Sequence, residues 1–81
     1  MLGKYVRVGV TNPIRSVNRQ FGFVYQLNFG AIEGKKRYDN ISHGAYIMGI
    51  NHPVRTFDGR VIAAIKRSDG SPAVYVVAPK S

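Results

Sequence analysis

Apolar and polar positions alternate from Tyr5 to Val10, with Val6, Val8 and Val10 on one face and Tyr5, Arg7 and Gly9 on the other. A period of two marks a half-buried strand. Thr11-Asn12-Pro13 ends it, because proline lacks an amide hydrogen for the ladder and pushes the preceding residue into extended or turn geometry. Residues 14–20 have no period and read as a loop carrying Arg15 and Arg19. Alternation resumes from Phe21 to Leu27, where Phe21, Phe23, Tyr25 and Leu27 share a face. This predicts a second strand whose aromatic face walls the core.

The stretch from Glu33 to His43 is the most polar in the chain and reads as a long exposed loop, a common seat of function in compact domains. Ala45 to Ile50 is apolar throughout, and Asn51-His52-Pro53 turns the chain into Val54–Phe57. Asp58-Gly59 carries a tight-turn signal, since both residues tolerate positive φ. Behind it Arg60 to Lys66 is a β-rich run. Ser68-Asp69-Gly70-Ser71-Pro72 separates that run from Val74–Ala78, so the C-terminal third reads as a hairpin. Five strands and no amphipathic helix predict an all-β fold, and so short a sheet protects its edges most simply by curling into a small five-stranded OB-like barrel. No repeat or linker interrupts the 81 residues, which are read as one domain.

At this length only about 60–65% of the unfolded chain's surface can be buried, so the core is small and a homo-oligomer is expected. Without cysteine there is neither a disulfide nor a thiolate nucleophile. No run approaches the roughly 20 apolar residues that span a bilayer, and a soluble, cytoplasmic protein without a membrane partner is expected. Charge sharpens the picture. Twelve Lys and Arg stand against Glu33, Asp39, Asp58 and Asp69, a formal +8, which favours an anionic partner: a phosphate-bearing small molecule or nucleotide, or nucleic acid.

Several segments in order resemble the small bacterial branch of the soluble (family I) inorganic pyrophosphatases. They are Met1-Leu2-Gly3-Lys4, then Leu27-Asn28-Phe29-Gly30-Ala31-Ile32-Glu33-Gly34, Ala45-Tyr46-Ile47-Met48-Gly49-Ile50, Pro53-Val54 and Phe57-Asp58-Gly59. Val61-Ile62-Ala63, Arg67 with Asp69, and Val76-Val77-Ala78-Pro79 follow. The resemblance implies a pyrophosphatase-like barrel core, here without the family's C-terminal helix. It also implies a phosphate site at the barrel mouth, where aspartates hold magnesium and Lys, Arg and Tyr bind the phosphate oxygens.

The departures from that pattern are concentrated in the chemistry. The family's aspartate before the third core strand is matched by Gly44, and its acidic neighbours by Ser42 and His43. The acidic position before the last strand falls on Pro72 or Ala73, and the last strand's lysine on Val74. Phe29 replaces the tyrosine of Asn-Tyr-Gly, and Asn12 the arginine after the first strand. Four acidic residues in the whole chain cannot rebuild the carboxylate cluster.

Asp69 is the one candidate metal ligand, although Asp-Gly between two strands is also what a hairpin needs. Glu33 and Asp39 beside Lys35-Lys36-Arg37 suit surface ion pairs better than a catalytic dyad, and His43 and His52 read as loop residues. Arg15, Arg19, Lys35, Lys36, Arg37 and Arg67 are the expected phosphate ligands, because guanidinium groups grip phosphate oxygens without a metal. Tyr38 is the candidate for stacking on a base. The expected function is non-catalytic binding or sequestration of a phosphate-bearing ligand with no cofactor. The alternatives are a weak magnesium-dependent phosphohydrolase, a single-stranded nucleic-acid binder, for which Phe21-Gly22-Phe23 beside Arg19 is the suggestive cluster, and a protein-interaction module.

Overall fold

The computed structural model describes residues 2–33, 43–66, 68–70 and 73–80. Its strands are β1 (Tyr5–Asn12), β2 (Asn28–Ile32), β3 (Gly44–Ile47), β4 (Thr56–Ile65) and β5 (Val74–Ala78), closed into a barrel in the order β1-β2-β3-β5-β4. Neighbouring strands pair antiparallel except β3 and β5, which are parallel. No helix occurs among the described residues. Closure removes the free edges that so short a sheet would otherwise expose to other chains.

Each strand contributes to the core: Val8 from β1, Ile32 from β2, Ala45 and Ile47 from β3, Val61 from β4 and Val77 from β5. Burying each of the larger side chains is worth about 1.5–3 kcal/mol. The alternation in β1 holds, with Val6 and Val10 packed against the core and Arg7 outside. In β4 Ile62 follows buried Val61 on the outward face, at a register irregularity between Val61 and Ala63. At Gly30, beside a register irregularity between β1 and β2, a methyl group would run into the Gly9 carbonyl oxygen of the neighbouring strand, so only glycine fits.

Three expectations change. The second strand is Asn28–Ile32, not Phe21–Leu27. Its inward positions are Asn28, Gly30 and Ile32, and a polar residue and a glycine there hide the period from a hydrophobic reading. Residues 13–27 instead make an excursion closed by the single antiparallel bridge Val17↔Val24. Phe21 and Phe23 are 72% and 46% exposed, so they do not wall the core; Tyr25 alone of that face is buried. Asp58-Gly59 makes no turn, but lies within β4 opposite Arg7 and Val6 of β1. A side chain at position 59 would strike the Ala78 carbonyl, so this glycine answers a close approach. The apolar run 45–50 leaves the sheet after Ile47, and Gly49 turns the chain at φ +85.

The topology fixes which connections share an end. Since β2 runs antiparallel to β1 and β3, and β4 antiparallel to β1, residues 13–27 and 48–55 lie at one end. The C-terminal end of β2 and the start of β3 lie at the other end with the β4–β5 connection. Asn28, fully buried, ties the first end together: its Oδ1 accepts from the amides of Ile14 (3.0 Å) and Val54 (3.4 Å), and its Nδ2 donates to the His52 carbonyl (3.0 Å).

Candidate functional site

The carboxylates are dispersed. On the outer wall of β1 and β4, Arg7 grips Asp58 with two donors, Nε to Oδ1 at 2.6 Å and Nη2 to Oδ2 at 3.0 Å. The hydrogen bond from Arg7 holds the Asp58 carboxyl below the ordinary aspartate range, and the same bond raises the Arg7 guanidinium. Glu33 lies across Gly9, where any added side chain would meet Oε2, and its amide donates to the Arg7 carbonyl at 2.8 Å. Together with Tyr5, Val6 and Lys80, these three residues line an open depression of about 480 Å³. Its two cations face two anions, so it presents no net charge to a ligand. Asp69 sits in the β4–β5 connection beside Gly70, whose φ of +85 suits a turn. Among the described residues no three of His, Asp or Glu gather closely enough to hold a metal ion.

The arginines are arranged differently. Residues 13–27 and 48–55, which together form one end of the barrel, carry Arg15, Arg19 and Arg55 and no aspartate or glutamate. The first carboxylate in the chain is Glu33. Arg15 is exposed, and its Nη1 donates to the Asn51 carbonyl at 3.1 Å, which leaves the remaining guanidinium donors open. Its own backbone takes the left-handed conformation, φ 71, uncommon for a residue with a side chain, and its amide donates to the Tyr25 carbonyl at 2.8 Å. Arg19 and Arg55 are exposed, and neither forms an ion pair with a described carboxylate.

Of the residues singled out in the sequence, Arg15 and Arg19 therefore come together on one connection. Lys35, Lys36, Arg37, Tyr38, Asp39 and Arg67 lie outside the described residues. His43 packs edge-on against Tyr75, ring centroids 5.7 Å apart, and His52 offers its carbonyl to Asn28. Sequence reasoning missed Arg55, whose membership of this end depends on the β3–β4 connection, and the structural part of Asn28. Phe29 stacks on Tyr25 at 6.1 Å and meets Tyr46 at a tilt at 4.7 Å. Comparison with family models, curated proteins and solved structures returned no match.

Proposed function

We propose that this chain is a non-catalytic, pyrophosphatase-like barrel that binds a phosphate-bearing ligand, such as pyrophosphate or a nucleotide, without a metal. The observation that carries the reading is the acid-free end of the barrel, where Arg15, Arg19 and Arg55 stand with no carboxylate on the connections that form it. Guanidinium groups unpaired with carboxylates are the natural partners of phosphate oxygens. Magnesium-dependent hydrolysis needs the opposite arrangement, clustered oxygen ligands that place the ion against the phosphates. Here Asp58 is engaged by Arg7, and Glu33 lies over Gly9, where it shares a depression with Arg55 but stands alone, so the two do not form a carboxylate cluster.

The fold relationship is part of the same proposal. A closed five-stranded barrel with β3 and β5 as its parallel pair has the strand order of OB-like barrels. The segments from Leu27 to Gly34 and from Ala45 to Ile50, which carry the resemblance to small pyrophosphatases, supply β2 and β3. Lys35, Lys36 and Arg37 lie outside the described residues, and the reading does not draw on them.

Calorimetric titration with pyrophosphate and with mono- and dinucleotides, with and without magnesium, tests the reading when run beside an assay for released phosphate. Binding that persists without magnesium, with no phosphate released, is the expected result. Magnesium-dependent release of phosphate would overturn it in favour of a hydrolase.

A further inference from the structure

The excursion 13–27 is built to hold aromatic rings in solvent. Asn18 organises its tip: Oδ1 accepts from the amides of Gln20 (3.0 Å) and Phe21 (2.9 Å), its carbonyl accepts from Gly22 (2.7 Å), and its own amide donates to the Phe23 carbonyl (2.8 Å). Its Nδ2 donates to the Tyr25 hydroxyl at 3.1 Å, and Gly22 takes the left-handed turn at φ +78. These bonds fix the backbone that carries Phe21, which is 72% exposed, and Phe23, which is 46% exposed. Chance exposure of one large ring needs no explanation. Two on one hydrogen-bonded tip do.

The rings also continue a row. Tyr46 and Phe29 face each other across β3 and β2, Phe29 stacks on Tyr25, and Tyr25 meets Phe23 edge-on at 4.9 Å. Tyr25 within the row is buried, Phe29 and Tyr46 are half-buried, and the row ends at exposed Phe23, two residues from Phe21. The same connection carries Arg15 and Arg19 and not a single carboxylate. Exposed rings flanked by unpaired guanidinium groups match a polymer that alternates flat bases with phosphates.

We infer that the 13–27 excursion is a platform for single-stranded nucleic acid, with bases stacking on Phe21 and Phe23 while Arg15, Arg19 and Arg55 hold the phosphates. This rests on the phosphate-binding reading and adds the base to it. Charge complementarity selects this occupant: apolar rings alone would suit a protein or a second copy of the chain, but the arginines beside them call for a polyanion.

The test is fluorescence anisotropy with a short labelled single-stranded oligonucleotide and with an abasic chain of the same length, with pyrophosphate titrated in parallel. The wild type is expected to bind the strand roughly ten-fold or more tightly than the abasic chain, because base stacking on aromatic side chains contributes at about that level per base. Phe21→Ala with Phe23→Ala should bring that ratio close to one while leaving pyrophosphate binding and the thermal melt unchanged. Arg19→Ala should weaken both chains alike and flatten the salt dependence. Equal affinity for strand and abasic chain, with pyrophosphate still bound, would overturn the base platform and spare the phosphate reading. Loss of all three would overturn both. Phenylalanine-dependent partitioning onto phosphatidylglycerol vesicles, or a phenylalanine-dependent dimer in sedimentation, without preference for the strand, would reassign the excursion to a membrane or to a second copy.

Discussion

Asn28 shows how one polar side chain can set the geometry of a site it does not enter. Fully buried, it satisfies the amides of Ile14 and Val54 and the carbonyl of His52, so the connections that bear Arg15 and Arg55 are tied to one point. Asn28→Ala strands all three groups and is expected to cost roughly 2–3 kcal/mol in urea unfolding. Asp58 gives a prediction of a different kind. Its carboxyl is held low by Arg7, so the pair stabilises the fold at pH values above the ordinary aspartate range and loses that effect as pH falls through the folded-state value. Asp58→Asn should therefore be less stable than wild type near neutrality and should converge with it below about pH 4, as followed by thermal melts across pH. Neither role was visible in the sequence. Asn28 stood out only within a run resembling Asn-Tyr-Gly, and Asp58 looked like a turn residue because aspartate before glycine signals a turn until a partner strand is known to lie beside it.

Strands whose inward positions are aliphatic were legible, and those that use other residues were not. Val6, Val8 and Val10 announce β1, and Val74–Ala78 announces β5, but β2 turns Asn28 and Gly30 inward, and the clearer alternation belongs to the exposed excursion before it. Position 30 is glycine because the Gly9 carbonyl of the paired strand stands where a side chain would go, a tertiary fact with no local signature. Gly30→Ala should cost about 3 kcal/mol or more, or prevent folding, since the obstacle is backbone and cannot rotate away. The excursion 13–27 is held by its own hydrogen bonds and by Asn28, with the single bridge Val17↔Val24. In hydrogen exchange the amides of Asn18 and Gly22 are therefore expected to lose protection before those of Val8 and Val61, which lie in the closed wall. Uniform protection across both groups would mean that the excursion and barrel open as one unit.

Across the whole molecule, what matters most is the distribution of charge. A formal +8 is compatible with mere solubility, but here the connections 13–27 and 48–55 contain no acid, with Glu33 sharing a depression with Arg55 alone, while the outer wall of β1 and β4 pairs its charges. The sequence alone showed the basic excess; only the closed strand order shows that 13–27 and 48–55 share an end. The measurement that bears most directly on this is equilibrium binding of pyrophosphate in the presence of a metal chelator, for the wild type and for Arg15→Ala with Arg19→Ala. Binding that survives the chelator and weakens at least ten-fold in the double variant, with no change in the melt, is the expected result. Binding that vanishes with the metal, or that is indifferent to both arginines, would contradict metal-free recognition of phosphate at this end of the barrel.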